Sequence, residues 1–233
     1  MRTLTERLKL TNARTIALIG AGGKTTLLWR LAGEARARGE TTLVTTATHI
    51  LRPAPGQCDR FVSPVDEDEL RAALACGGLT CAGYPDANGK CTGLLPALFA
   101  TGQAAADRVL YEADGAKRLP LKVHRADEPV LHPATDAVVL VLGLSALGRP
   151  VRETVHRWEL CGALRERPDA AVTADDIVLL AREAIRAAGL TPVHTRIVLG
   201  QADTAPAAQA EAIARSLRAD GWRVWALSPG KND

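Results

Sequence analysis

Near its start the chain reads Thr15-Ile-Ala-Leu-Ile-Gly20-Ala-Gly-Gly-Lys24-Thr-Thr26, an apolar run followed at once by glycines, a lysine and two threonines. The apolar run predicts a buried strand, and residues 24–38 predict a helix that Gly39 ends. Phosphate groups need many hydrogen-bond donors at short range, and the backbone amides of a glycine-rich turn before a helix supply them. We therefore predict a P-loop whose nucleotide-binding residues are Gly20, Ala21, Gly22, Gly23, Lys24, Thr25 and Thr26.

Within this loop Lys24 is predicted to contact the outer phosphates of ATP or GTP, and the Thr25 hydroxyl to hold Mg²⁺. The spacing is Gly-x-x-Gly-Lys-Thr, shorter than the usual Gly-x-x-x-x-Gly-Lys-Thr. This form resembles the compact P-loop of the Mur ligases, which use ATP. The alternative is a structural turn followed by a surface lysine, and the order of strand, glycines, lysine and helix favours the phosphate site.

Beyond this segment, apolar runs alternate with amphipathic segments for most of the 233 residues. This alternation predicts an α/β protein: a P-loop NTPase-like three-layer fold with a mainly parallel sheet, in one domain over residues 1–233. Further strands are expected at 41–46, 108–112, 137–142, 194–199 and 222–227, and short strands and turns within 79–93. Further helices are expected at 66–74, from Thr173 to Gly189, and from near Thr204, with Pro206 in its first turn, to Gly221.

Charge and hydropathy limit the partners. Lys and Arg outnumber Asp and Glu by only 29 to 26, which gives no support for binding nucleic acid or an anionic membrane. The longest apolar run, residues 137–147, is shorter than the roughly 20 residues of a membrane helix. Residues 1–10 carry charges throughout, unlike a signal peptide. We expect a cytoplasmic protein.

The five cysteines fit that compartment, because their number is odd and they form no Cys-x-x-Cys pair. Most are expected to act as small apolar residues. A thiolate role for Cys76, Cys81 and Cys91, which share one short segment, is the alternative.

Two acids follow the predicted strand 108–112. Glu112 and Asp114 are two residues apart in an extended chain and are expected to face the same way. A strand that ends in carboxylates beside a P-loop completes a magnesium site. We predict Thr25, Glu112 and Asp114 as metal ligands, and Lys24, Glu112 and Asp114 as catalytic residues. The alternative is a solvated, acidic strand end.

Three further positions are candidates for contact with a second substrate: His49, which follows Thr45-Thr-Ala-Thr48, and Lys117 and Arg118, which lead to Lys122. The carboxyl ends of parallel strands line the ligand crevice, and cations there can stabilise a transferred phosphoryl group. The alternatives are ordinary strand threonines and a solvated basic loop. A similar but less securely placed set is Arg149, Arg152, His156 and Arg157.

A late turn reads Gly200-Gln201-Ala202-Asp203, where GTPases place Asn-Lys-x-Asp. Only the aspartate of that pattern is present. Asp203 is therefore a candidate for contact with the base, without a clear preference for guanine, and its alternative role is to cap the next helix.

Several of these segments, taken in order, resemble the YqeC family over roughly residues 15–205. They are Gly-Ala-Gly-Gly-Lys-Thr-Thr, Thr-Thr-Ala-Thr-His, Glu112-Ala-Asp-Gly-Ala-Lys-Arg-Leu-Pro-Leu-Lys122, Asp-Glu-Pro-Val, Val-His-Arg-Trp-Glu and the Gln201-Ala-Asp203 turn. That family is described as an accessory protein of selenium-dependent molybdenum hydroxylases. The resemblance implies a P-loop nucleotide-binding fold and a role in cofactor maturation, with a selenium species or molybdenum cofactor as second substrate and a client hydroxylase as partner.

The favoured hypothesis is an Mg²⁺-dependent NTPase that uses ATP or GTP. A nucleotide-gated module that delivers a cofactor without chemistry of its own is the first rival. A small-molecule kinase is the second, and the lack of an evident lid segment disfavours it.

Overall fold

The computed structural model describes residues 2–87 and 89–228. Its strands are β1 (Thr15–Gly20), β2 (Thr42–Thr46), β3 (His49–Leu51), β4 (Arg60–Val62), β5 (Leu79–Ala82), β6 (Tyr84–Pro85), β7 (Lys90–Thr92), β8 (Arg108–Glu112), β9 (Leu121–Lys122), β10 (Ala137–Gly143), β11 (Val155–His156), β12 (Thr195–Gly200) and β13 (Val224–Ala226).

Its helices are α1 (Leu4–Arg7), α2 (Lys24–Ala37), α3 (Glu67–Ala75), α4 (Pro96–Ala105), α5 (Val151–Thr154), α6 (Gly162–Arg165), α7 (Ala174–Ala187) and α8 (Ala207–Ala219). Short 3₁₀ turns lie at Leu144–Ala146, Trp158–Leu160 and Ala202–Thr204. No helix in the described ranges is long and apolar enough to cross a membrane.

Eight strands form the large sheet, in the order β13-β12-β10-β1-β8-β2-β5-β4. The pairings of β1 with β8, β8 with β2, β2 with β5, β5 with β4, β10 with β12 and β12 with β13 are all parallel. Helices flank this sheet, so the predicted α/β class with a mainly parallel sheet is confirmed, and the architecture is consistent with a P-loop NTPase-like fold. Strands β1, β8 and β10 are buried along their whole length, as expected for central parallel strands.

The chain divides into two compact units, each made of several segments. The first takes the described parts of 1–18, 27–114 and 130–137, and the second those of 19–26, 115–129 and 138–233. The interpretation as one domain stays a prediction.

In the first unit, β8 is flanked by β1 and β2 in register. Glu112 is aligned with Leu18 of β1 and with Thr46 of β2. Behind it, the fully buried Tyr111 packs edge-on against Phe99 at a ring distance of 5.0 Å, and its hydroxyl lies 2.7 Å from that of Thr135. This packing fixes β8 and therefore the place where the two acids leave the sheet.

In the second unit, β10, β12 and β13 lie side by side, and β9 pairs with β11 in a small parallel ladder. Helix α7 begins at the predicted capping box, in which Thr173 and Asp176 bond each other's backbone amides. Helix α8 begins at Ala207 rather than near Thr204, and Pro206 occupies its N-cap position, because residues 202–204 form a separate 3₁₀ turn.

Helix α4 was not predicted from the sequence. Its residues are mostly Ala, Gly and Thr with few clear polar positions, so the apolar period is weak. The one signal was Pro96 at its first position, where a missing amide costs nothing.

Candidate functional site

The glycine loop, residues 20–26, joins the end of β1 to the start of α2, as predicted. Gly20, Gly22 and Gly23 have φ angles of 87°, 85° and 120°, which residues other than glycine rarely adopt. Lys24 is the first residue of the helix and is only 5% exposed. Its Nζ donates a hydrogen bond of 2.6 Å to the carbonyl oxygen of Gly20, so the lysine is folded back over the loop. Thr25 is half-buried and Thr26 is exposed.

The loop belongs to the second unit and packs directly on the backbone near strand ends of that same unit. The Ala21 amide donates to the carbonyl oxygen of Val141, at 2.8 Å. A Cβ at Gly22 would overlap the Cα of Gly143 and lie 2.7 Å from the carbonyl oxygen of Pro120. Both partners are backbone atoms and cannot turn away, so this approach requires glycine on both sides of the contact.

Gly200, at the end of β12, serves the same purpose. A Cβ there would overlap the carbonyl oxygen of Gly22. The next residue, Gln201, has a left-handed backbone (φ 57°), and its Oε1 accepts a hydrogen bond of 2.7 Å from Ser145. From the sequence, Gly200 was notable only because it stands where GTPases have asparagine. The structure shows that the backbone of Gly22 leaves no room for a side chain at this position.

Asp203 is exposed on the 3₁₀ turn Ala202–Thr204, and its amide donates to the Ser228 hydroxyl at 3.0 Å. The N-cap of α8 is Pro206, so Asp203 does not cap that helix.

The two predicted metal-binding acids lie in the first unit, where β8 ends. Asp114 is fully buried and Glu112 nearly so. The Ala113 amide between them donates to the carbonyl oxygen of Leu18, at 3.0 Å, so the pairing with β1 continues past Glu112. The alternative of a solvated acidic strand end is wrong, since both carboxylates are removed from water.

Next to this strand end, Thr46 closes β2. Its hydroxyl donates to the carbonyl oxygen of Glu112 at 3.1 Å and accepts from the Thr48 amide at 3.0 Å. His49 is exposed at the start of β3, where its backbone pairs with Thr92. The hydroxyl run therefore ties the backbone of β2 to that of β8, and His49 belongs to a separate small sheet.

The predicted basic loop divides into two kinds of cation. Lys117 and Arg118 are exposed, with consecutive left-handed φ angles of 47° and 62°. Lys122 is buried on β9, and its Nζ donates to the carbonyl oxygen of Gly115 at 2.8 Å and to Glu128 at 2.7 Å. Lys122 therefore has a structural role in a buried ion pair, unlike the exposed Lys117 and Arg118.

Three residues near Lys122 were missed or given little weight from sequence. Glu128 also accepts a hydrogen bond of 2.6 Å from Arg157, and His156 is buried beside them on β11. Burial alone would raise the pKa of Glu128, but the hydrogen bonds from Arg157 and Lys122 outweigh it and hold that pKa at about 2. The available signals were the segments Asp-Glu-Pro-Val and Val-His-Arg-Trp-Glu.

The other two arginines of that weaker set lie elsewhere. Arg152 forms a surface ion pair of 2.6 Å with Asp169, and Arg149 is exposed.

Two of the three cysteines in the alternative thiolate set, Cys81 and Cys91, are buried. Burial raises the pKa of Cys81 and Cys91, so their thiols stay protonated at neutral pH. Cys76 is exposed at the end of α3, where its thiol donates to the carbonyl oxygen of Ala72. Among the described residues, no three His, Cys, Asp or Glu side chains are grouped so that they could hold a metal ion.

A parallel α/β sheet whose first strand runs into a glycine loop and a lysine-led helix has the architecture of P-loop NTPase-like proteins. Residues 16–159 match the family model described as YqeC protein. The chain is also 35% identical over 175 residues to the uncharacterized protein YqeC of Escherichia coli (strain K12), an alignment that covers 72% of this chain and 67% of that relative. The chain belongs to the YqeC family.

Proposed function

We propose that this protein binds ATP or GTP through the glycine loop and hydrolyses it with the help of Mg²⁺. The observation that carries the proposal is the loop itself, a left-handed glycine backbone that packs on Gly143 and Gly200 and leads into a helix begun by a buried lysine. Free amides at a helix start and a nearby ammonium group are what a polyphosphate requires.

Lys24 is the residue on which binding most depends. Its Nζ now donates to a neutral carbonyl oxygen, and a charged phosphate oxygen is a stronger acceptor for the same ammonium group. Because the lysine is nearly buried, its charge acts through a low dielectric and can stabilise the charge that develops on the transferred phosphoryl group.

Thr25, Glu112 and Asp114 are proposed to hold the magnesium ion. Carboxylate and hydroxyl oxygens are the ligands that Mg²⁺ prefers, and both acids are buried near the end of β8. Glu112 is aligned with Leu18, which precedes Gly20 by two residues in the chain. When bound, the ion would neutralise charge on the outer phosphates.

The remaining candidate residues are proposed to contact the base or a second substrate. Asp203 is exposed after β12 and is proposed to contact the base, with ATP and GTP both open. His49, Lys117 and Arg118 are exposed and are proposed to face a second substrate.

Titration of the purified protein with fluorescent ATP and GTP analogues tests the proposal. We expect binding that requires Mg²⁺ and that Lys24→Ala weakens at least about tenfold, because a charge-assisted hydrogen bond is lost. Lys90→Ala removes the same charge at an exposed site on β7 and is the matched control. Equal binding by wild type and Lys24→Ala, or no binding of either nucleotide, would overturn the proposal.

The cellular role is proposed from the family resemblance: nucleotide turnover assists selenium or molybdenum cofactor maturation of a client molybdenum hydroxylase. Deletion of the gene, followed by metal, selenium and cofactor analysis of the cell's molybdenum hydroxylases, tests this role. Fully active hydroxylases with normal cofactor content would remove it and leave the nucleotide site standing.

A further inference from the structure

A cluster of charged residues lies in the second unit: Lys122, Arg157 and, at 3.8 Å, Arg125 pair with Glu128, and Lys117 and His156 complete it; we call it the β9–β11 cluster. The two short strands align Lys122 with His156, and the Val123 amide donates to the carbonyl oxygen of His156 at 2.9 Å. These contacts fix the backbone on which the cluster is built.

The buried part of the cluster is a rigid scaffold. One carboxylate oxygen of Glu128 accepts hydrogen bonds from both Lys122 and Arg157. The side chains of Lys122 and Glu128 are only 1% and 7% exposed. Its low pKa keeps Glu128 ionised at every physiological pH, so it holds the Arg157 guanidinium in one place.

The accessible part of the cluster is cationic. Arg157 is 22% exposed, it contacts Glu128 through Nη1, and a guanidinium carries five N–H donors in a planar fork. Lys117 is exposed, and His156 precedes Arg157 in the chain and feels the charge of both cations. Burial lowers the pKa of His156, and the positive charges of Arg157, Lys122 and Lys117 lower it further against the single opposing charge of Glu128. Three cations therefore act on this imidazole against one anion.

A partly buried position with excess positive charge favours an anion, because cations removed from water gain most from an opposite charge. An arginine fork recognises phosphate oxygens in pairs, and a neutral histidine adds one N–H donor. The ligand best matched to two accessible cations and this donor set is a dianion.

We propose that Lys117, His156 and Arg157 bind the phosphomonoester dianion of a second ligand, at a site separate from the glycine loop. The connection between the two sites is short. The Gly143 amide donates to the carbonyl oxygen of Pro120 at 2.9 Å, and both of these residues also back Gly22. The segment that carries Lys117 and Lys122 is thus anchored on the glycine loop, which brings the second ligand near the nucleotide. The anion site itself does not depend on nucleotide binding.

The test uses the full chain in the absence of nucleotide. Inorganic phosphate is added as the probe, and the histidine ring signals are followed by NMR. We expect a saturable shift of the His156 signal, assigned through His156→Gln, and a higher His156 pKa in the phosphate-bound protein. Arg157→Gln and Lys117→Gln should each weaken binding about tenfold or more. Arg215→Gln removes the same charge from an exposed position on α8 and should bind as wild type does.

Each other outcome overturns the proposal. An unmoved His156 signal, or equal weakening by Arg215→Gln, would mean that no built site exists. Equal affinity for malonate would replace phosphate by carboxylate as the ligand class. Loss of phosphate binding in Lys24→Ala would assign the anion to the glycine loop instead. Lys117→Gln keeps the experiment decisive if Arg157→Gln fails to fold, because Lys117 is exposed and lies outside the buried scaffold.

Discussion

Glu40 and Glu128 each accept hydrogen bonds from two cationic side chains, and each lies within its own unit of the protein. The partners of Glu40 are Arg38 at 2.7 Å and Arg108 at 2.9 Å. Arg108 begins β8 and also donates to the backbone carbonyl oxygens of residues 10, 11 and 13. Its side chain is 8% exposed, and its donors are used by the protein itself.

The Glu128 group also pairs one carboxylate with several cations, because Arg125 lies 3.8 Å from it in addition to Lys122 and Arg157, but this group leaves donors accessible. Arg157 contacts the carboxylate through one nitrogen, is more exposed than Arg108, and has a buried histidine and a further lysine beside it. The number of donors already used by the backbone therefore separates a cation that holds the fold from one that can bind a ligand. Four variants test this distinction.

Arg108→Met should have the largest effect. It removes one of the two cationic partners of Glu40 and a buried donor to three carbonyl oxygens, so the free energy of unfolding should fall by about 3–5 kcal/mol. Urea denaturation at pH 7 measures the loss. Phosphate binding at the β9–β11 cluster should be unchanged in the folded variant. A loss no greater than that of a surface substitution would contradict the structural role.

Glu128→Gln should destabilise in a pH-dependent way. A folded pKa of about 2, against 4.5 for the free carboxyl, corresponds to about 3 kcal/mol of stability. A lowered pKa stabilises the fold above the unfolded value and stops doing so as the pH falls through the folded one. The difference between wild type and variant in urea should therefore be full at pH 7 and shrink between about pH 4.5 and 2. A difference that stays constant over that range would show that the carboxylate charge is not its source.

Arg157→Gln should cost about 1 kcal/mol, because the ion pair is partly exposed and Glu128 keeps Lys122. Its main effect should be to weaken phosphate binding, whereas Arg108→Met should mainly reduce stability. Urea denaturation and phosphate titration of the two variants, side by side, measure the contrast. Equal stability losses would remove the distinction between the two groups.

Arg215→Gln should have the smallest effect, within about 0.5 kcal/mol of wild type, since the side chain is exposed on α8. The same two measurements apply. A larger change would mean that the net charge, rather than the position of each cation, controls both properties.

The sequence predicted the features that depend on residues close together in the chain better than those that depend on distant ones. The glycine loop, β8 and the start of α7 were predicted because their signals lie within a few adjacent residues: glycines before a lysine, acids after an apolar run, and a capping box. The start of α8 was placed too early, because a separate 3₁₀ turn precedes Pro206. The sequence could not show that the turn was separate.

The β9–β11 cluster escaped prediction for a different reason. It depends on pairing between two strands of only two residues each, which are more than thirty positions apart, and neither has a detectable period of its own. For the same reason Lys122 could not be separated from its exposed neighbours, since its burial is set by Glu128 and not by its local sequence.

The closed space over Gly200 limits how this protein could be re-engineered. An asparagine introduced there to read guanine would have to push its Cβ into the carbonyl oxygen of Gly22, so restoring the Asn-Lys-x-Asp motif would displace the loop it was meant to serve. In the proposed nucleotide site, selection between adenine and guanine would therefore have to come from other residues, and attempts to change that preference should start from residues after Gln201.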